Sequence, residues 1–424
     1  MPRRRLVPTL EGMRSLCALL GDPQASIPSV HITGTNGKGS TSSMVTTLFL
    51  AKGLTVGTYT SPNLHVAAER IARNGEAIDD ASLSEVLGEL ALLESLLEDR
   101  PTRFELLTAA ALSWFATEAV DAVVVEVGLG GTWDCTNVVD GDVAVLTNVS
   151  FDHTDVLGPT LEGIAEDKAG IIKRGSRVVV GDLAPDLLDI VLTRADEAGA
   201  ASVWALGRDF GCASNRVAVG GRLVTLWTPG GRYEDVAIPL HGAHQGRNAA
   251  VALAAVEAFF GDALDPGVVE EGFAAVRVPG RLEVLGRRPL LHVDGAHNAA
   301  GMAALGEALT EEFAVEGSTV AVVGMLAGRD PSAMLAPLAA AGVTAIVACE
   351  PSSPRAMPRT AVAEAARALG LAAYDEPDVR DAWRVARGMV DVDGLVVVAG
   401  SLYVVGTARA DALASAVPWE DAGR

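Results

Sequence analysis

The chain has 424 residues, 49% of them hydrophobic, and a formal net charge of −21. That length exceeds what one core needs and suits two domains, while no apolar run approaches the ~18 residues that span a bilayer. The acidic balance argues against a nucleic-acid partner, and it means that an anionic substrate has to be drawn in by local positive groups.

Near the N-terminus, Arg3, Arg4 and Arg5 are followed by Pro8, Glu11 and Arg14, which interrupt any apolar signal region. A cytoplasmic protein is expected. Cys17, Cys135, Cys212 and Cys349 are scattered with no Cys-x-x-Cys pair and read as reduced thiols. Residues 29–33 are a β-branched run that predicts a strand, and 41–52 set Met44, Leu48 and Ala51 at helical spacing. Between them lie Gly34, Thr35, Asn36, Gly37, Lys38, Gly39 and Ser40.

A phosphate-binding loop needs glycines so that backbone N–H groups can turn toward oxygens. It also needs a lysine for the terminal phosphates, a hydroxyl for Mg²⁺ and a helix N-terminus to hold the charge. All are present, but the common GxxxxGK[ST] pattern is not. Ile32 stands at its first Gly and Gly39 at its Ser/Thr, so the hydroxyl, Ser40, comes one residue late. A guanine-reading NKxD is absent as well, which disfavours a GTPase switch. The alternative, a Gly turn without a ligand, fits the strand–loop–helix context poorly.

Helical patterns over 80–98 and 105–118 and strands over 122–127, 143–147 and 177–180 continue the alternation. They predict a P-loop-type, mostly parallel sheet with helices on both faces. Glu126 ends one strand, where a carboxylate faces the nucleotide crevice and can ligate Mg²⁺; the alternative is a solvent-facing Glu. His153, beside Asp152 and after the next strand, reads as a metal ligand or proton shuttle. Of 33 Lys and Arg residues only Lys38, Lys52, Lys168 and Lys173 are lysines, a hint that a retained lysine is needed as an amine. Lys52 reads as a surface residue, and a plain salt bridge is the other reading of Lys168.

After Ser202, segments at 217–219, 223–227 and 234–238 predict a small antiparallel subsheet, followed by a helix over 245–260. Val278-Pro279-Gly280 breaks the pattern. The expected domains are therefore 1–278 and 281–424, with 279–280 as the hinge. Strands at 290–294, 319–324, 345–348 and 395–399, with helices between (299–312 among them), predict a smaller Rossmann-like α/β domain.

Taken together the motifs resemble the folylpolyglutamate synthase/dihydrofolate synthase family, a branch of the Mur-type ligases. The matching strings are VHITGTNGKGST (30–41), TSPNL (60–64) with ERI (69–71), FELLTAAAL (104–112) and EVGLGG (126–131) with DCTNV (134–138). TNVSFDHTDVLG (147–158), KAGIIK (168–173), HQGRNA (244–249), PGRLE (279–283) and DGAHN (294–298) complete the set, and weaker echoes lie at 323–326 and 399–403.

The resemblance implies an ATP-dependent ligase that adds L-glutamate to a folate or dihydropteroate carboxylate through an acyl phosphate. It implies two Mg²⁺ ions, one held by Glu126 and His153 and one by Ser61, with Ser40 near the phosphates and Lys38 clamping them. It implies a carbamate on Lys168, which requires an unprotonated primary amine that Arg cannot supply. Asn248, Arg281 and Asp294 match ATP-contacting positions, with His297 close by. The pteroate side is expected at Phe104, Glu105, Leu106, Leu107, Trp133, Asp134 and Cys135, with Trp133 either stacking on a pterin or sitting in the core. The implied partners are small molecules, with no nucleic acid or membrane, and the expected state is a monomer.

Asn63 and Thr132 depart from the family's usual His and Arg. A peptidoglycan Mur ligase shares the chemistry but usually carries a UDP-sugar domain, for which the 33 residues before Gly34 leave no room. A P-loop kinase or switch explains the loop and Glu126 but not PGRLE and DGAHN. A non-catalytic ATP-binding regulator is disfavoured by the full set of metal and phosphate residues.

Overall fold

The computed structural model describes residues 9–97 and 99–414. Arg3–Arg5, Pro8, Glu98 and the last ten residues of the expected second domain lie outside the described residues. Three sheets organise the rest. The largest has eight strands in the order Glu76–Ala77, Ile71–Arg73, Val56–Tyr59, Ala122–Glu126, Ser29–Thr33, Val143–Asn148, Arg177–Asp182 and Ser202–Ala205. All neighbours from Val56–Tyr59 onward pair in parallel, and only the first two strands are antiparallel.

The central strands Ser29–Thr33 and Ala122–Glu126 are buried along their whole length. Such strands read as unbroken apolar or β-branched runs because helices cover both faces. On one face the helix Lys38–Ala51 packs between His244–Phe260 and Pro266–Ala274. Met44 and Leu48 enter that core at 0% exposure, as their spacing predicts. Arg103–Thr117 covers the other face, and its first turn is closed by a capping box between Thr102 and Glu105.

The antiparallel subsheet is Gly211–Ala218, Gly221–Thr228 and Gly231–Ile238. Its first strand lies earlier than 217–219, because Val219 and Gly220 form the turn. Arg222 from this subsheet is buried and donates to Glu312, whose side chain is fully buried at the end of the helix Ala299–Glu312.

The third sheet runs Glu283–Arg287, Leu290–Val293, Leu395–Ala399, Thr319–Val323, Ala345–Ala348 and Ala372–Asp375, parallel except for its first strand. Glu283–Arg287 and Ala372–Asp375 are additions to the expected strands. Both lie at sheet edges, where partial exposure blurs the apolar pattern. The helix predicted over 80–98 ends at Leu93 and continues as a 3₁₀ turn, Glu94–Leu96.

Candidate active site

Four neighbouring parallel strands deliver their carboxyl ends to one place. The loop 34–40 follows Thr33, Glu126 closes its strand, the segment to His153 follows Asn148, and Ser61 follows Tyr59 shortly after its strand. In open α/β sheets this edge is where ligands bind. The second large sheet closes over it, and the two enclose a cavity of about 1500 Å³. Its lining includes every residue of 34–40, Ser61, Phe104, Glu105, Glu126, Trp133, Asp134, Cys135, His153, Lys168, Asn248, Arg281, Asp294 and His297. Leu106 and Leu107 are not in the lining: Leu106 packs against the adjoining core and Leu107 is 5% exposed. Their place on the helix Arg103–Thr117 turns them toward packing and not toward a ligand.

The loop is held in shape by protein contacts of its own. Gly37 sits at φ +82° as the residue before the helix, and a side chain there would meet Asn248 Oδ1 at 2.6 Å. Asn148 ties down Asn36 by accepting its backbone N–H at 2.9 Å and donating to its carbonyl at 2.9 Å. Lys38 donates to the Gly34 and Thr35 carbonyls at 3.0 and 3.3 Å, so its amine lies over the loop's own turn. Burial lowers its pKa, against the pull of Glu126 and Asp152. Ser40 is 3% exposed and lies 3.5 Å from Gln245 Nε2.

Glu126 is 4% exposed, and burial raises its pKa against the opposing charge of Lys38. It accepts the Ser61 backbone N–H at 3.2 Å, while the Ser61 Oγ atom is buried without a hydrogen-bond partner. An orphaned hydroxyl beside a buried carboxylate is an oxygen donor set suited to a hard divalent cation. Among the described residues no group of three His, Cys, Asp or Glu side chains forms a ready-made metal cage. A cation here would complete its shell with phosphate oxygens and water, as Mg²⁺ favours.

Lys168, at 3% exposure on the helix Leu161–Ala169, donates to the Gly34 carbonyl at 2.9 Å. Burial first, and then the charge of Lys38, bring its pKa down to about 7. His153 holds a left-handed backbone at φ +51°, a conformation that His, like Asn and Asp, adopts more readily than most residues. Burial lowers its pKa, with Asp152 opposing.

Asp152 is the residue the sequence reading passed over. It is 6% exposed and gathers His153 at 3.6 Å, His297 at 3.5 Å, Asn298 Nδ2 at 3.0 Å and the Arg329 guanidinium. Burial alone would raise its pKa, but the hydrogen bonds from His297 and Asn298 and the charges of His153 and Arg329 hold it well below the usual carboxylate range. Asn298 also donates to Asn36 Oδ1 at 3.0 Å, so this knot joins the loop to the second large sheet. Asp152→Ala is expected to lower stability by about 3 kcal/mol, because Arg329 and Asn298 lose a buried acceptor. Thermal unfolding reads that loss, and an unchanged melting temperature would show that the knot carries no energy.

The remaining predicted residues divide by surroundings. Asp294 accepts the Leu282 and Ala296 N–H groups at 2.7 and 2.8 Å and shapes the turn that presents Arg281 and His297. Asp134 caps its 3₁₀ turn and accepts from Leu129 N at 2.9 Å, Glu105 serves its capping box, and Cys135 contacts Thr108 at 3.1 Å. Trp133 is 55% exposed at the cavity wall, which rules out the core placement. Phe104 lies under the Arg70 guanidinium at 6.0 Å, an apolar floor with a cation above it. Arg70, Arg247, Arg281 and Arg329 supply the local positive charge that a chain of net charge −21 requires.

Of the departures, Asn63 accepts from Arg70 Nε at 2.8 Å, and Thr132 donates to the Asp167 carbonyl at 3.0 Å. Lys52 is exposed, as expected of a surface lysine, and its ammonium sits 5.6 Å from the Phe260 ring.

A phosphate loop, a buried carboxylate and a buried lysine under a second α/β sheet define a ligase of the Mur type. Residues 32–256 match the Mur ligase middle domain, and residues 280–402 match the Mur ligase glutamate ligase domain. Dihydrofolate synthase/folylpolyglutamate synthase of Mycobacterium tuberculosis is 38% identical, over 96% of this chain and 91% of its own length. The structure of Mycobacterium tuberculosis folylpolyglutamate synthase complexed with ADP superimposes with TM-score 0.92 at 40% identity, covering 96% of this chain and 95% of that one. A bifunctional folylpolyglutamate synthase/dihydrofolate synthase with Mn, AMPPNP and L-glutamate bound gives TM-score 0.84 at 31% identity, covering 95% and 93%. The chain belongs to the folylpolyglutamate synthase/dihydrofolate synthase family, a family of ATP-dependent glutamate ligases.

Proposed function

We propose that the chain joins L-glutamate to the carboxylate of a dihydropteroate or reduced folate in two steps on ATP. The substrate carboxylate oxygen attacks the γ-phosphorus, the bond to the β-phosphate oxygen breaks, and ADP and an acyl phosphate form. The glutamate amine then attacks the acyl carbon, the C–O bond to phosphate breaks, and an amide, phosphate and a proton result. The observation that carries this reading is one cavity in which Lys38, Glu126 and Lys168 face Arg281 and His297 from the other sheet.

In this reading Lys38 follows the charge onto the γ-phosphate, and the N-terminus of its helix and the turned backbone of 34–40 hold the other oxygens. Ser61, Glu126 and His153, with Ser40 nearby, would hold two Mg²⁺ ions. Bound there, they would neutralise the phosphate oxygens. Lys168, with an amine already poised near neutrality, is proposed to carry a carbamate. That group would orient the incoming amine from the floor of the loop. Asn248, Arg281 and Asp294 are assigned to ATP, and His297 to the phosphate edge. Trp133 and Phe104 are assigned to the flat apolar part of the pteroate, while Glu105 and Asp134 through their caps, and Cys135 through Thr108, frame that pocket.

The division into 1–278 and 281–424 is part of the proposal, with Pro279-Gly280 as the hinge about which the two halves close on substrates. Gly280 at φ +72° and the change of sheet between Ile238 and Glu283 support it. The expected monomer is likewise part of the proposal. The four free cysteines support a reducing, cytoplasmic setting.

The test is phosphate release by the purified protein, which should require glutamate together with dihydropteroate or tetrahydrofolate. Release with UDP-muramoyl substrates only, or phosphorylation of an alcohol, would overturn the reading. Comparing the two acceptors, each with and without bicarbonate, assigns the substrate and tests the carbamate.

A further inference from the structure

The segment that carries Ser61 is seated in a socket made by the far end of the chain. After Ser61 the backbone N–H groups of Leu64, His65 and Val66 all donate to the Glu69 carboxylate, at 2.8 to 3.2 Å. This ties 64–69 into one stiff knot. Its Leu64 side chain packs against the core of the C-terminal sheet, and it meets Val405 around Gly280. Gly406, on the helix Leu402–Ala414, lies so close that a side chain there would meet the Leu64 carbonyl oxygen at 2.3 Å. Gly280 closes the socket, since a Cβ there would sit 3.2 Å from Leu64 Cδ2. Arg409, one turn beyond Gly406, donates through Nε and Nη2 to Glu283 at 2.8 and 3.0 Å, and its Nη1 lies 3.4 Å from His65 Nε2. Glu283 in turn accepts the Gly280 N–H at 2.8 Å.

Three segments distant in sequence thus meet at one joint, one residue away from Arg281 and three away from Ser61. We propose that the Leu64–Gly406 contact is a positioning joint through which the C-terminal sheet sets the place of Ser61 relative to Glu126. Interior packing of this kind has few alternative arrangements, so a shift of the helix Leu402–Ala414 carries the Ser61 backbone with it. Neither Leu64 nor Gly406 lines the cavity, and they act through Ser61. The consequence for metal rests on the proposed metal role of Ser61, whereas the mechanical link does not.

Two variants of the full chain test it, Leu64→Ala and Gly406→Ala, with Ser61→Ala as the reference for the site. Amide exchange in the peptide spanning residues 60–70 should quicken about tenfold or more in both, because the Ser61–Glu126 and Glu69 hydrogen bonds lose their backing. The gain in ADP affinity on adding Mg²⁺, read by calorimetry, should fall about tenfold, with metal-free ADP affinity unchanged. Unchanged exchange in either folded variant overturns the joint. Faster exchange with a full Mg²⁺ gain, where Ser61→Ala loses that gain, overturns the coupling. Should Ser61→Ala itself keep the Mg²⁺ gain, the metal role of Ser61 fails, and exchange alone decides the joint. Should Gly406→Ala not fold by circular dichroism, Leu64→Ala decides, since it removes the peg without adding atoms.

Discussion

Lys168→Ala should lose on the order of 10³-fold in kcat while still binding ATP, the size of loss seen when one preorganised charge is removed from a phosphoryl- or acyl-transfer site. The position explains the separation. Lys168 shares the Gly34 carbonyl with Lys38, while the nucleotide phosphates are assigned to the loop's N–H groups and to Lys38, so the loop's own phosphate contacts remain when Lys168 is removed. Lys168→Arg should fare no better, since a guanidinium stays protonated and cannot become a carbamate. The pH dependence follows from the direction of the shift. The amine is brought down from 10.5 to about 7 by burial and by Lys38, so it is mostly protonated at acid pH and increasingly neutral as pH rises through 7. Only the neutral amine attacks CO₂. Protein freed of CO₂ should therefore regain activity on adding bicarbonate more readily above neutrality than below it. Full turnover in Lys168→Ala, measured as phosphate release alongside ADP binding, would refute the role.

How far the site could be read beforehand depended on the kind of signal. The loop, Glu126 and Lys168 sit in contiguous strings whose residue types are dictated by chemistry, and strand and helix periodicity fixed their neighbours. The cavity unites them as expected. Asp152 was seen only as the neighbour of His153. Its importance comes from His297, Asn298 and Arg329, which lie more than 140 residues away and become partners only when the second sheet closes. Leu64 and Gly406 are of the same kind: a leucine in a loop and a glycine in a helix carry no sign of each other. Leu106 and Leu107 were carried into the pteroate pocket with the string that contains them, whereas in the helix Arg103–Thr117 the first-turn residues Phe104 and Glu105 reach the cavity, Leu106 packs against the adjoining core and Leu107 is buried. Edge strands escaped for a third reason. Short, half-exposed segments such as Ala372–Asp375 have no apolar period to read.

Glu126→Gln separates function from stability. The carboxylate is 4% exposed and its pKa is raised by burial, with Lys38 as the first opposing charge. A negative charge held in such a place costs folding energy, and an amide of the same shape removes that cost while leaving one oxygen to accept the Ser61 N–H. The linkage has a definite sign. A carboxyl whose folded pKa is raised destabilises as it ionises, so native Glu126 should weaken the metal-free protein as pH rises through its ordinary value of 4.5 and above, and Glu126→Gln should remove that dependence. At neutral pH without metal, the variant should melt at the same temperature as the native protein or about 2–4 °C higher, in the range of a 1 kcal/mol gain. Its chemistry should suffer instead. An amide is a poor ligand for a hard dication, so the Mg²⁺-dependent rise in melting temperature with ATP should vanish and kcat should fall about 10²–10³-fold. Melting curves with and without Mg²⁺ and ATP measure both halves. A variant that is destabilised without metal, yet still stabilised by Mg²⁺ and ATP together, would show that Glu126 is a structural carboxylate and that the metal lies elsewhere. The opposite pattern, with stability kept and the metal response lost, is what a carboxylate retained for catalysis at the cost of stability requires.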